Sequence, residues 1–122
     1  MTIFTLADRT GTFASRVRTL LRQLPIIAGT VEDSKQLFRS SGSVAANYLE
    51  ADEAVSKKDF IYRMKICRKE IKESRLWLQL IFTGGNVLLE KERQSLIQES
   101  KELLYIFSAI IQKAVEKNEK RQ

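Results

Sequence analysis

Seven cations of this 122-residue chain, Lys57, Lys58, Lys65, Arg68, Lys69, Lys72 and Arg75, recur at spacings that suit one face of a helix. At 100° per residue they share a sector about 120° wide, a row on which several phosphates of a polyanion can be held together. The acids of the same stretch, Asp59, Glu70 and Glu73, fall on the opposite flank. Glu70 and Glu73 are three residues apart, and paired carboxylates can do acid–base work or hold a metal. Upstream, Asn47 and Glu50 share a face with Ser40 and Ala54, within reach of Arg39, Arg63 or lysines across a bundle. Arg39, Asn47, Glu50, Glu70 and Glu73 are therefore read as a polar network that fixes helix register or subunit contacts, with Glu70 a partner for an arginine of another subunit. The competing reading makes the same cluster the pocket of a small-ligand-binding protein or an enzyme.

The residue inventory weighs against catalysis. The chain has no histidine, which removes the commonest general base and the commonest metal ligand. The two neighbouring glutamates therefore have no Glu-x-x-His partner motif for a di-iron site. The single cysteine, Cys67, falls in an apolar seam and has no partner for an intramolecular disulfide. No catalytic residue, metal or cofactor is assigned. One unpaired cysteine and no recognisable signal peptide or spanning segment give the expectation of a cytoplasmic protein with no membrane partner.

A formal charge of +6 is distributed unevenly: residues 1–30 carry +3, 31–55 carry −3, 56–83 carry +5 and 84–122 carry +1. Lys58, Lys65, Arg68, Lys69, Lys72 and Arg75 form the candidate nucleic-acid-binding set, for RNA, DNA or an enzyme that acts on them. Arg16, Arg18 and Arg22 extend that patch only where the first and third helices align their faces. No glycine-rich phosphate loop, aromatic RNA-binding motif or recognition-helix signature accompanies it. The bland alternative is a solvated lysine coat.

These side chains must be positioned by helices. Apolar residues make up 43% and charged residues 30%, with one proline, so a single mostly helical domain over residues 1–122 is expected. Apolar spacing places four helices at about 12–24, 31–54, 57–83 and 90–116. Thr12 reads as the first cap, Thr30 with Asp33 as the second, and Ser56 with Asp59 as the third. Residues 1–11 read as an extension or a short separate turn, and the tail "EKNEKRQ" as frayed. The third helix carries the seam Phe60, Met64, Cys67, Ile71, Ser74, Leu78 and Ile81; the fourth repeats the spacing through Leu96, Ser100, Leu103, Phe107, Ile110 and Ala114. In the second, the seam is Leu37, Ser41, Val44, Tyr48, Ala51 and Val55, and "SSGS" leaves room for a neighbouring backbone. Tyr62 and Tyr105 read as half-buried. Short links favour an antiparallel, up-down-up-down four-helix bundle. The end of the third helix is apolar nearly all round, so Leu76, Trp77, Leu80 and Phe82 are the expected oligomer interface.

At Leu37, Arg39, Ser40, Ser43, Val44, Asn47, Tyr48 and Glu50 the second helix resembles a known family. The likeness continues through Ser56, Asp59, Phe60, Ile66, Glu70, Glu73, Ser74, Trp77 and Leu78, and spans roughly residues 9–115. The family is that of small bacterial four-helix bundles first noticed as reading frames in intervening sequences of 23S ribosomal RNA genes. The resemblance implies an all-α bundle that assembles as a cyclic homo-oligomer, a pentamer, with no established chemistry. A more distant likeness is to the accessory proteins of diversity-generating retroelements, which bind a reverse transcriptase and nucleic acid through basic surfaces. The expected protein is thus a non-enzymatic oligomeric binding or scaffold protein, with a purely structural ring as the remaining alternative.

Overall fold

In a computed structural model, which describes residues 5–120, the chain forms four helices: α1 Leu6–Leu21, α2 Ala28–Asp52, α3 Lys57–Leu80 and α4 Val87–Lys120. Consecutive helices pack side by side and α4 returns to α1, so α1 and α3 stand on a diagonal without packing together. The buried seams meet in one core, in which Phe13, Val17, Leu20, Leu37, Val44, Met64, Cys67, Ile71, Leu78, Leu96, Leu103 and Phe107 lose nearly all contact with solvent. Each comes from a three- or four-residue repeat, which gives every helix one apolar stripe to bury.

The helix starts depart from the sequence expectation in physically simple ways. Thr5, not Thr12, caps α1: its hydroxyl accepts from the Asp8 N–H and the Asp8 carboxylate accepts from the Thr5 N–H, both at 3.1 Å. The "TLAD" pattern carries this capping box in plain view, and Gly11 lies within the helix. Residues 1–4 of the expected extension lie outside the described residues. Thr30 and Asp33 do not cap α2, which begins at Ala28 behind Ile27 with no side-chain cap. Ser56 does cap α3, accepting from the Asp59 N–H at 3.0 Å. Asn86 caps α4, its side-chain oxygen accepting from Leu88 and Leu89 N–H, so the helix starts three residues before Glu90. That helix continues to Lys120; the final two residues of the expected frayed tail are outside the described ones. Val55 is past the end of α2 and fully exposed rather than in its seam.

Two junctions hold one end of the bundle. Gly84 and Gly85 take φ of 72° and 75° in the α3–α4 turn, a backbone region open mainly to glycine. A Cβ on Gly84 would stand 2.8 Å from Pro25 Cγ, so the α1–α2 and α3–α4 loops press on each other. Arg93 of α4 then reaches back and donates to the Leu78 carbonyl at 2.8 Å and the Gln79 carbonyl at 3.2 Å, satisfying the end of α3.

Candidate functional site

Helix α3 is launched by Ser56 and anchored by its core seam, and these two constraints fix which way each charge points. The flank toward α2 is bonded throughout. Arg39 donates to Glu70 at 3.3 Å and to Glu73 at 3.2 Å, so both carboxylates of the possible acid–base pair are engaged by one guanidinium. Within the chain, Glu70 thus already has a partner in Arg39. Nearby, the hydroxyls of Ser40 and Ser74 share a hydrogen bond of 2.8 Å inside the core. Farther along the seam, Asn47 donates to the Ser43 carbonyl and hydroxyl at 2.9 and 3.0 Å and accepts from Arg63 at 3.2 Å.

Glu50 stands apart from this network. It is exposed, and among the described residues it makes no ion pair with Arg39, Arg63 or a lysine. The turn of α2 that carries Asn47 inward carries Glu50 out to solvent, a distinction the shared sequence face did not resolve. Cys67 lies fully in the core, its thiol 3.7 Å from the Val44 carbonyl, and burial pushes its pKa up to about 12. It is a small core residue rather than a nucleophile. Among the described residues no group of three or more His, Cys, Asp or Glu side chains is placed to hold a metal ion.

The opposite side of α3 is the cationic crest. Lys58, Lys65, Lys69 and Lys72 are exposed and Arg68 and Arg75 half-buried. Among the described residues none of the six has a carboxylate within 4.0 Å; the ion pairs belong to Arg9, Arg16, Lys35, Arg39, Arg63 and Arg93. Lys57 leans 5.9 Å from the Phe60 ring centroid. Where the crest meets α4, Lys65 and Arg68 border a groove of about 460 Å³ that is also lined by Glu116 and Glu119, so the groove carries charges of both signs.

The arginines of α1 do not extend this surface. Helix α1 packs on α2 and α4, and Arg16 forks onto Glu92 at 2.7 and 3.1 Å, which raises its pKa chiefly through the hydrogen bond. Arg18 turns inward over Phe38, its guanidinium carbon 3.9 Å from the ring centroid. What fills the space left by "SSGS" is this guanidinium and not a backbone: a Cβ on Gly42 would lie 2.8 Å from Arg18 Nη2.

Of the four expected interface residues, Leu76, Leu80 and Phe82 are exposed, whereas Trp77 is half-buried against the core with its indole N–H lacking a protein acceptor. The sequence reading missed Ile26, Ile27, Val87 and Leu88, which are exposed beside the touching Pro25 and Gly84 loops. The cap signal at Asn86 would have revealed the last two as helical. Tyr62 and Tyr105 are exposed rather than half-buried. Among the described residues no helix is long and apolar enough to cross a membrane.

Four antiparallel helices, a polar lock between α2 and α3 and a basic crest on α3 define a four-helix-bundle protein with one basic face. Residues 6–109 match the family described as 23S rRNA-intervening sequence protein, and the chain belongs to that family. The resemblance read from α2 and α3 is thereby borne out. A similar solved structure is that of a protein with unknown function from the S23 ribosomal protein family from Bacteroides thetaiotaomicron VPI-5482. It is 31% identical, covers 88% of this chain and 98% of its own, and superposes with a TM-score of 0.76. No curated protein matches the chain.

Proposed function

We propose that this chain is a non-enzymatic, cytoplasmic binding protein that works as a cyclic homo-oligomer, a pentamer as the family resemblance implies, and holds nucleic acid on the α3 crest. The observation that carries the reading is the set Lys58, Lys65, Arg68, Lys69, Lys72 and Arg75, which has no carboxylate partner among the described residues. From Lys58 to Arg75 the crest runs about 25 Å at 1.5 Å per residue, long enough to follow several phosphates. Repetition around a ring multiplies modest contacts into avidity. Exposed Leu76, Leu80 and Phe82, with Val87 and Leu88, supply apolar surface for subunit contact. The polar cluster supports helix register rather than turnover, because Arg39 already engages both Glu70 and Glu73.

The test is titration of labelled RNA and DNA into the purified oligomer at 50 and 200 mM salt, beside a variant carrying Lys65→Glu, Lys69→Glu and Lys72→Glu. With about four phosphates engaged, the fourfold rise in salt weakens duplex binding about 100-fold. Light scattering checks that the variant keeps its mass. Absence of binding at 50 mM salt overturns the reading.

A further inference from the structure

Along the outward line of α3, Lys58, Tyr62, Lys65, Lys69 and Lys72 follow one another at alternating spacings of four and three residues. Every position in that line is a lysine except the second, which carries an aromatic ring. Tyr62 is 58% exposed, so the ring stands in solvent among the cations rather than in the core. Helix geometry puts Lys58 one turn behind it and Lys65 one turn ahead, about 10 Å apart along the axis. The two ammonium groups thus flank the ring on either side.

The ring is also braced. Arg63 places its guanidinium carbon over it, 5.6 Å from the ring centroid. That guanidinium is itself fixed, donating to the Asn47 side-chain oxygen at 3.2 Å and standing 3.9 Å from an Asp59 carboxylate oxygen. Tyr62 is therefore steadied by the α2–α3 lock while most of its surface stays open. A flat apolar surface left in water gains from a flat partner laid against it.

The neighbours decide which partner that is. The lysines repel a cationic partner, and a purely apolar one gives their hydrated ammonium groups nothing to pair with. A nucleotide within a strand has a flat π-face with an anionic phosphate on each side, which is the order of groups around Tyr62. In a duplex the base faces are closed by their own stack, whereas in a single strand a base is free to lie on an aromatic side chain.

We propose that the crest takes single-stranded nucleic acid, with one unpaired base stacked on Tyr62 and the phosphates on its two sides held by Lys58 and Lys65. Lys69 and Lys72 carry the strand onward. This rests on the reading of α3 as a nucleic-acid face and adds what that face selects, a free base. Stacking reads no hydrogen-bond pattern, so any base is accepted.

The test compares Tyr62→Ala and Tyr62→Phe with the native oligomer. The probes are labelled oligothymidylate, oligouridylate, a duplex and a single strand without bases, each about 15 nucleotides long. Tyr62→Ala is expected to weaken both base-bearing single strands about tenfold and to leave the duplex and the base-free strand unchanged. Tyr62→Phe, which keeps the ring, binds as the native chain does. The slope of affinity against salt is the same in Tyr62→Ala as in the native protein, because no phosphate contact is lost, whereas Lys65→Glu, Lys69→Glu, Lys72→Glu flattens it. Circular dichroism and light scattering establish that each variant stays folded and keeps its mass. Unchanged single-strand affinity in folded Tyr62→Ala overturns the inference and leaves nucleic-acid binding on α3 standing. An equal loss for the duplex and the base-free strand overturns it too, since the tyrosine then serves the structure of the crest. Absence of binding by every probe at low salt overturns both readings.

Discussion

Helices α1 and α3 are both basic, yet they spend their cations on different things. On α1, Arg9 forks onto Glu99 at 2.6 and 3.1 Å, Arg16 onto Glu92, and Arg18 lies flat on Phe38. The crest of α3 is mostly lysine, and none of its six candidate residues has an acid within 4.0 Å among the described residues. The contrast follows from side-chain chemistry. A planar guanidinium makes two directed bonds to one carboxylate and so fastens helices, whereas an ammonium on a flexible stem stays hydrated and presents a mobile point charge. Equal sign therefore does not mean equal role: α1 is basic for assembly of the bundle, and α3 is basic toward solvent.

Breaking the comparison at α3 gives the largest expected effect. The Lys65→Glu, Lys69→Glu, Lys72→Glu variant loses at least about 100-fold in affinity for RNA or DNA at low salt. Its melting temperature stays close to that of the native protein, since the changes remove no bond. Filter binding and thermal melts read the two quantities separately. The converse is expected at α1. Arg16→Ala lowers stability by about 1 kcal/mol, because the pair with Glu92 is bidentate but about a third exposed, and leaves nucleic-acid affinity unchanged. Denaturant titration checks the first part.

A double-mutant cycle sharpens the role of Arg18. In an Arg18→Ala background, Gly42→Ala should stabilise by about 1 kcal/mol, the ordinary helix preference of alanine over glycine. In the native background that gain disappears, because the new Cβ would stand 2.8 Å from Arg18 Nη2 and displace it. Near neutral pH the smallest effect concerns Cys67 on the core side of α3. Its thiol ionises near 9.0 when unfolded and at about 12 when folded, so this group weakens folding as pH rises from 9 to 12 and is without effect below 9. A thiol reagent at pH 8 should label Cys67 only in denaturant.

Much of the bundle was legible because the core seams are simple repeats. Met64, Cys67, Ile71, Ser74 and Leu78 are all buried, as their spacing requires, and Ser56 caps where a serine before a charged turn should. The errors arose where local signals competed. Thr5 and Thr12 both precede plausible first turns, and only the reciprocal bond with Asp8 separates them. Thr30 looked like a cap because threonine favours that position, but Ile27 precedes the helix and Thr30 is buried in its first turn. Within the candidate site, α3's own charge sorting was readable from the wheel. The partners of Arg39, Asn47 and Arg18 were not, because they lie on other helices and depend on rotation of one helix against the next.

The arginine forks of α1 also bear on the order in which the bundle closes. Arg9 and Glu99 are 90 residues apart in the chain, and Arg16 and Glu92 are 76 apart, whereas the other seams join consecutive helices through short turns. Ordering a long loop before it gains contacts carries the larger entropic cost, so α2, α3 and α4 form the early partners and α1 docks onto α4 last. Opening retraces that step. The α1–α4 seam is the door of the bundle, and the Arg9 and Arg16 forks are its latch.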